Sequence, residues 1–282
     1  MQLRLDAADR LVELVEERRG PVFVEEAARR LFALRHAPVG MARSLLEEVV
    51  VEDARLAWRG DAVGLADPPG ADLPLDRATF VVVDLETTGL RPGSARICEI
   101  GAVRVRELEL ADEFELLVDP GMPIGPAISA LTGLRDADLR GAPHPAIAVR
   151  RFLEFAGDAV LVAHNALFDV RFINHEVAHV FPGRRMMNSH LCTVALARQL
   201  LPDLKSFRLG ALAEHFSVPH RSRHRAGDDA HATARVFIRL LEHLHESGVR
   251  DLDGARRFKR PKAEVNTHAS EAVETQSAAT EI

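Results

Sequence analysis

The segment Thr79-Phe-Val-Val-Val-Asp-Leu-Glu-Thr-Thr-Gly-Leu90 begins as an apolar, β-branched run and then carries two carboxylates. Such a run predicts a strand that is buried on both faces, as in the centre of a sheet. Because side chains of a strand alternate between faces, Asp84 and Glu86 should point the same way and Leu85 the other. Two acids at the end of a buried strand repel each other unless a cation lies between them, and Mg²⁺ or Mn²⁺ prefers carboxylate oxygens. The segment by itself equally fits a strand end with two solvated acids.

The composition predicts an ordinary globular protein. Of its 282 residues, 47% are hydrophobic and 28% are charged, which suits one sizeable core and a smaller second domain. No run approaches the roughly 18 apolar residues of a membrane span, and the amphipathic start does not resemble a signal peptide. We therefore expect a cytoplasmic protein with no membrane partner. Cys98 and Cys192 lie in apolar runs and predict buried thiols, with no zinc-ligand spacing.

The net charge of the chain limits how it can bind nucleic acid. A formal net charge of −6 does not suggest a tight, non-specific nucleic-acid binder. A protein of this charge that acts on nucleic acid needs its positive charge concentrated locally, with metal ions offsetting the acids of its site.

Residues 1–66 predict a small helical domain that ends in a hairpin. The order of three helices and a hairpin is that of a winged-helix module, a variant of the helix-turn-helix. A protein-docking domain fits as well as a DNA-binding one, because few basic residues line the third helix. Pro and Gly predict a linker at 67–76. The expected elements are helices at about 6–18, 24–34 and 39–50, and a hairpin of 54–58 with 62–65.

Residues 77–248 predict a larger α/β domain. Strands come first and strand–helix alternation follows, which indicates a mixed sheet flanked by helices. The first three strands are consecutive and should be antiparallel. The polar segment 256–282 reads as a disordered tail. After the opening strand we expect strands at 97–105, 114–118 and 159–163, and helices near 128–131, 145–156, 168–179, 190–200, 208–216 and 228–246.

Two further motifs carry chemistry of the same kind. His164-Asn-Ala-Leu-Phe-Asp169 follows the last predicted strand and opens a helix, whose dipole by itself suffices to explain Asp169 in its first turn. His224-Arg-Ala-Gly-Asp-Asp229 opens the last long helix. Residues five apart do not share a helix face, so His224 is expected in the loop and Asp229 in the first turn. Gly227 or Asp228 would then cap this helix.

In order and spacing these three motifs resemble those of the DEDDh 3′–5′ exonucleases, the family of the proofreading epsilon subunit of bacterial DNA polymerase III. The resemblance covers about residues 79–246 and includes Glu99-Ile-Gly-Ala-Val and Leu209-Gly-Ala-Leu-Ala. It implies a ribonuclease H-like fold, two Mg²⁺ or Mn²⁺ ions and His224 as general base. A branch with tyrosine in place of this histidine is excluded, since the chain has no tyrosine. The implied metal ligands are Asp84, which would bridge both ions, Glu86, Asp169 and Asp229.

The same resemblance implies where the substrate lies. Backbone amides and apolar side chains near Leu85, Thr87 and Thr88 would seat the terminal nucleotide, with His164 and Asn165 as further contacts. Phe168 either stacks on a base or belongs to the core. The arginines near His224 either follow the phosphate backbone or form a solvated loop, and they are Arg208, Arg221, Arg223 and Arg225.

The implied activity is release of nucleoside 5′-monophosphates from single-stranded or frayed 3′ ends of DNA, in proofreading or DNA repair. A DNA polymerase subunit is the implied protein partner. Two alternatives stay open, an RNA-trimming exoribonuclease of the same fold and a non-catalytic nucleic-acid-binding or docking protein. The intact acids and His224 argue against the second. No residue decides between DNA and RNA, which depends on how the site treats the 2′-OH.

Overall fold

A computed structural model describes most of the chain. The described residues are 2–18, 20–53, 55–66, 72–220 and 224–260, with the backbone alone for 2–6. Residues 67–71 of the predicted linker and 261–282 of the predicted tail lie outside this range. Within it, no helix combines the length and the apolar character that crossing a bilayer requires.

The N-terminal elements form a small unit with its own core. Leu11, Leu46 and Val63 are among its fully buried side chains. The predicted helices and hairpin are present. A two-residue strand, too short for a sequence pattern, pairs with the second strand of the hairpin and completes a three-stranded antiparallel sheet. The elements are α1 Gln2–Arg18, β1 Val22–Phe23, α2 Val24–Phe32, α3 Val39–Glu52, β2 Leu56–Arg59 and β3 Ala62–Leu65.

The second sheet has five strands. From edge to edge they are its third, second, first, fourth and fifth strands along the chain, so that Phe80–Thr87 is the central strand. The first three strands along the chain are antiparallel, and the last two run parallel to the central strand. The predicted mixed sheet is thus confirmed. Its strands are β4 Phe80–Thr87, β5 Ile97–Arg106, β6 Glu109–Leu117, β7 Val160–Ala163 and β8 His190–Cys192.

Helices cover both faces of this sheet. Phe237 of the long helix packs edge to face on Phe80, with ring centroids 4.9 Å apart, in one core layer. Phe152 and Phe172 are buried in the layer on the opposite face. The helices are α4 Pro126–Thr132, α5 Asp136–Leu139, α6 Pro145–Ala156, α7 Ala166–Val180, α8 Thr193–Leu200, α9 Leu209–His215, α10 Ala226–Glu246 and α11 Leu252–Arg257.

Three predicted element boundaries were wrong. Residues 190–192, predicted as the start of a helix, form β8, because their backbone pairs with β7. The strand predicted at 114–118 begins at Glu109, since its exposed charged residues still pair with β5 at the sheet edge. The tail predicted at 256–282 begins too early, because α11 ends at Arg257 and has Leu252 and Ala255 in the core beside the long helix. A short apolar run does not by itself distinguish strand from helix.

The predicted cap of α10 was also wrong. The helix begins at Ala226 with Arg225 as its N-cap residue, so Gly227 and Asp228 lie inside the first turn. The backbone N–H of Ala226 donates to Glu99 of β5, 3.1 Å away, and a carboxylate from another element thus replaces the local cap. Sequence patterns for caps detect only neighbours along the chain.

Charged groups connect the small N-terminal unit with the larger one. Asp9, Glu13 and Glu16 occupy one face of α1, spaced four and three residues apart, as helix neighbours are. Asp9 pairs with Arg185, Glu13 pairs with Arg171, and Glu16 lies 3.0 Å from His190. Arg171 belongs to α7, so this contact reaches the helix that carries Asp169.

We expect Phe237→Ala to lower the free energy of unfolding by about 3–5 kcal/mol, because it leaves a cavity against Phe80 in a close-packed core. The matched control is Phe23→Ala, since the Phe23 side chain is 67% exposed; it should cost less than about 0.5 kcal/mol. Chemical denaturation followed by circular dichroism measures both. Equal effects of the two substitutions would contradict the packing described here.

Candidate active site

The site begins at the end of β4. Leu85 and Thr87 are buried, whereas Asp84 and Glu86 are partly exposed on the opposite face, as the alternation of a strand requires. The pairing with β5 becomes irregular between Glu86 and Thr87. Such a bulge re-aims the strand end and ends regular pairing, here directly beside the two acids.

Asp169 reaches the site from the first turn of α7. Its side chain is only 3% exposed. Its carboxylate accepts the backbone N–H of Leu85, which lies between Asp84 and Glu86 in β4. This hydrogen bond anchors Asp169 beside those two acids. The helix begins after Asn165, whose left-handed φ of 83° turns the chain from β7 into α7. Asn, of all residues with a side chain, tolerates that conformation best.

Asp229 reaches the site from the first turn of α10. Both of its oxygens are engaged: Oδ2 accepts the backbone N–H of His224 at 3.0 Å, and Oδ1 is in close contact with Nε2 of His220. His220 is nine residues from Asp229 and is not part of any motif in the sequence. The structure therefore brings a second histidine to the site, one that sequence reasoning missed.

The four acids interact strongly. Burial is the largest cause that raises the pKa of Asp84 well above its ordinary value. The negative charges of Asp169, Asp229 and Glu86 raise it further. Burial also raises the pKa of Asp169, against the effect of its backbone hydrogen bonds. The pKa of Glu86 is raised to about 7 by burial and by the charges of Asp229 and Glu99. Burial and mutual repulsion thus both disfavour the ionised forms of these carboxylates.

A cation fits this site. One ligand atom each of Glu86, His224 and Asp229 lies within 4.8 Å of the other two. Clustered carboxylate oxygens are the donor set of hard divalent cations, and a bound cation would offset the repulsion that contributes to the raised pKa of Glu86. Asp84 and Asp169 add two further carboxylates to the same group.

His224 lies in the loop before α10, as predicted. Its side chain is exposed and its backbone is left-handed, with φ 64°. A non-glycine residue in this conformation is held by its surroundings, and here its N–H is bound by Asp229. The imidazole therefore faces solvent beside the acids, where it can exchange protons with water.

His164 has a different environment. Its Nδ1 lies 2.9 Å from the hydroxyl of Thr193, which in turn lies 3.3 Å from the carbonyl of Ala163. Burial lowers the pKa of His164 to about 4, despite a hydrogen bond to the backbone of Phe207 and the nearby charge of Asp229. At neutral pH this ring is uncharged and held between β7, α8 and the segment before α9.

The residues expected to contact substrate have mixed surroundings. The side chain of Leu85 is in the core, which leaves only its backbone for contact. Thr87 is buried, with its hydroxyl 2.6 Å from the carbonyl of Gly89, and the hydroxyl of Thr88 accepts the N–H of Arg96. Phe168 is partly buried, 4.9 Å from the ring of Phe172. Asn165 is exposed at the start of α7.

The arginine loop differs from expectation at Arg225. This residue does not point freely toward solvent, since its guanidinium binds the buried carboxylate of Glu99, with Nη2 2.7 Å from Oε1. Arg208 is exposed at the start of α9. Arg221 and Arg223 lie outside the described residues.

Three residues of the site were not assigned a role from the sequence, namely Glu99, Thr193 and His220. Glu99 lies within Glu99-Ile-Gly-Ala-Val, a segment outside the three motifs that also resembles the family, and Thr193 lies within another such segment, Cys192-Thr-Val-Ala-Leu-Ala-Arg. His220 has no signal in the local pattern, because its partner Asp229 belongs to a different element.

The comparisons with known proteins agree with this geometry. A family model described as exonuclease (RNase_T) matches residues 81–237. The chain is 38% identical over 185 residues to DNA polymerase III subunit epsilon of Aquifex aeolicus, a match that covers 65% of this chain and 91% of that protein. It is 44% identical over 173 residues to the PolC-type DNA polymerase III of Caldanaerobacter subterraneus, covering 61% of this chain but only 12% of that much longer protein.

A solved structure shares the fold. Exonuclease X, in complex with 5′ overhanging duplex DNA, is 27% identical with a TM-score of 0.51; the match covers 63% of this chain and 98% of that one. The protein is thus an α/β protein of the ribonuclease H-like exonuclease class. Since the family model matches more than half of the 282 residues, the chain belongs to the exonuclease family, whose members are nucleases. The resemblance inferred from the three motifs is confirmed.

We expect Glu86→Gln to stabilise the metal-free protein at pH 8. The raised pKa, from 4.5 to about 7, means that folding opposes ionisation of Glu86. The destabilisation of the folded state by Glu86 is absent below the pKa that this residue has in the unfolded chain. It increases as the pH rises from there through the pKa of the folded state. In EDTA the variant should therefore melt a few degrees above wild type at pH 8, at about 2–4 °C per kcal/mol, and the gap should close toward pH 4.5.

Saturating Mn²⁺ should reverse the order of melting temperatures, because the wild-type carboxylate then gains a partner. The control is Glu47→Gln, an exposed acid of α3, which should change neither melting temperature nor its pH dependence. A Glu86→Gln variant that melts below wild type in EDTA at pH 8 would contradict the electrostatic account of the site.

Proposed function

We propose that this protein is a metal-dependent 3′–5′ exonuclease that releases nucleoside 5′-monophosphates from DNA 3′ ends, in proofreading or repair. The observation that carries the proposal is the group of four acids from β4, α7 and α10, in which the charges of Asp169, Asp229 and Glu86 add to burial in raising the pKa of Asp84, in a chain of the exonuclease family. The names of the polymerase III relatives support DNA as substrate and a DNA polymerase subunit as partner.

The acids Asp84, Glu86, Asp169 and Asp229 would hold two Mg²⁺ or Mn²⁺ ions. When bound, such ions neutralise charge at the phosphate and make water a better nucleophile. The protein contributes a rigid frame: β4 is the central strand, Asp169 is bound to the Leu85 amide, and Asp229 is held in the first turn of α10. A frame of this kind keeps the ligands in place before substrate arrives.

His224 would act as general base. Its exposed imidazole lies beside Glu86 and Asp229, so it can accept a proton from the water that attacks the phosphodiester. Transfer of the phosphoryl group to that water breaks the bond to the 3′ oxygen of the preceding nucleotide, which takes up a proton and becomes the new 3′ end. The backbone near Leu85, Thr87 and Thr88 would seat the terminal nucleotide. His164 and Asn165 would flank it, and the partly buried Phe168 ring would offer its exposed edge to the base.

We also propose a division into two domains. Residues 1–66 would form the small domain and the catalytic domain would follow the linker, with a boundary slightly earlier than the predicted residue 77. Leu75 supports this boundary, because it is buried in the core with Phe80 and its N–H donates to Arg250. The small domain would bind DNA or dock a partner, and its charged contacts with Arg171, Arg185 and His190 would keep it near the site.

The direct test offers the protein labelled single-stranded DNA, duplex DNA with a 3′ mismatch, and short single-stranded RNA, each with Mn²⁺. We expect mononucleotides one at a time from free 3′ ends of DNA, poor cleavage of 3′-phosphorylated ends, and complete loss in EDTA. Asp84→Ala should abolish turnover and keep a wild-type far-UV spectrum. Cleavage of closed circular DNA, or full activity in EDTA, would refute the proposal. Faster trimming of RNA would favour the exoribonuclease alternative.

The role of His224 gives a second prediction. His224→Ala should lower the turnover rate roughly 10²–10⁴-fold, the usual span for general-base catalysis, while Mn²⁺ affinity stays close to wild type because the carboxylates remain. The wild-type rate should rise through the neutral pH range in which imidazoles lose their proton, and this rise should be absent in the variant.

Two histidines serve as comparisons for that variant. His215→Ala, at an exposed position on α9, should leave turnover unchanged. His220→Ala tests the other histidine that contacts Asp229. If His224→Ala retains wild-type turnover and His220→Ala does not, the base has been assigned to the wrong ring.

A further inference from the structure

Glu99 is a buried acid beside the site that the proposed mechanism does not use. It lies on β5, directly opposite Glu86 in the β4–β5 pairing, and is 3% exposed. Its two oxygens accept hydrogen bonds from Arg225 at 2.7, 3.1 and 3.2 Å, and Oε2 also accepts the backbone N–H of Ala226 at 3.1 Å. The charge of Glu99 is thus balanced by an arginine of the protein itself, Arg225.

The partners of Glu99 are the residues that join the catalytic loop to the catalytic helix. Arg225 directly follows His224 and is the N-cap residue of α10, and Ala226 is the first helical residue. One carboxylate therefore binds the end of the loop and the start of the helix at once. A negative charge at this position also interacts favourably with the helix dipole.

A second contact fixes the same turn to β5. Gly101 lies two residues beyond Glu99 on the strand, hence on the same face. A Cβ atom added at Gly101 would overlap the backbone of Ala226 and Gly227. The start of α10 thus rests directly on the strand backbone, and the ion pair holds it there.

We propose that Glu99 and Arg225 form a positioning pair for the site. By fixing the loop and the first turn of α10 to β5, the pair keeps His224 and Asp229 within reach of Glu86. This inference rests on the proposed function for the roles of His224 and Asp229. It adds two residues that touch neither substrate nor metal and on which turnover nevertheless depends.

The chain offers a matched comparison. Arg96 binds the buried carboxylate of Glu176 through two hydrogen bonds of 2.6 and 2.7 Å, and Glu176 is 0% exposed. This pair has the same chemistry as the Glu99–Arg225 pair and a carboxylate that is likewise buried, with side-chain exposures of 1% for Glu176 and 4% for Glu99, but it joins α7 to the segment before β5. Loss of either pair should reduce stability, whereas only loss of the Glu99–Arg225 pair should displace His224 and Asp229.

The experiment compares full-length Glu99→Gln, Arg225→Lys and Glu176→Gln with wild type. Three quantities are measured: kcat and KM on a single-stranded DNA oligonucleotide with Mn²⁺, the Kd for Mn²⁺ alone by calorimetry, and the melting temperature. Glu99→Gln should lower kcat by about 10–100-fold and weaken Mn²⁺ binding by about tenfold. Effects of this size are typical when a residue that orients metal ligands is lost. KM should change less than about threefold, because the nucleotide seat at β4 is untouched.

Arg225→Lys keeps the positive charge but loses the bidentate hydrogen bonding to Glu99. The kcat of this variant should therefore lie between those of Glu99→Gln and wild type. It also serves as the test variant if Glu99→Gln does not fold. Glu176→Gln should lower the melting temperature by a similar amount, with kcat and Mn²⁺ affinity within about twofold of wild type.

A folded Glu99→Gln with wild-type kcat and Mn²⁺ affinity would overturn the positioning role. So would equal losses of kcat in Glu176→Gln, since the effect would then be general destabilisation. If wild type itself does not degrade DNA, the proposed function fails, but the Mn²⁺ affinities still decide whether the pair positions the acids.

Discussion

Mutual repulsion among the clustered carboxylates of the site is the constraint on which the rest of this structure depends. Asp84 lies at the centre of the group, and burial together with the charges of Asp169, Asp229 and Glu86 raises its pKa. Such a group destabilises a fold unless the surrounding elements hold it together and a cation offsets its charge. The central strand of a five-stranded sheet, with helices packed on both faces, is a frame stiff enough to do so.

Polar contacts between elements tie each part of the site to that sheet. The amide of Leu85 binds Asp169 and so connects β4 with α7. The hydroxyl of Thr193 lies between His164 and the end of β7, which connects the sheet with α8. Each of these groups is buried and partnered, as buried polar groups must be. The apolar core thus determines how the sheet and helices pack, while the polar contacts determine how the acidic side chains are oriented in the site.

The two histidines beside Asp229 illustrate how exposure separates similar side chains. His220 is largely buried and contacts Asp229 through Nε2, whereas the imidazole of His224 is exposed and only its backbone binds the same carboxylate. A buried, bonded ring holds a ligand in place, and an exposed ring can exchange protons with water. Their different environments are the reason for assigning the base to His224.

The sequence by itself determined the local features. Alternation along Thr79–Leu90 placed Asp84 and Glu86 on one face of a buried strand, helical periodicity located the long helices within a few residues, and three motifs in order identified the family. Only the tertiary structure decided how distant segments meet: β8 forms because β7 offers its edge, and α10 starts at Ala226 because Glu99, 127 residues away along the chain, takes its N–H. The physical reason is range. Propensity and periodicity act between neighbours in the chain, whereas a backbone group or a charge is satisfied by whichever partner the packed layers bring to it.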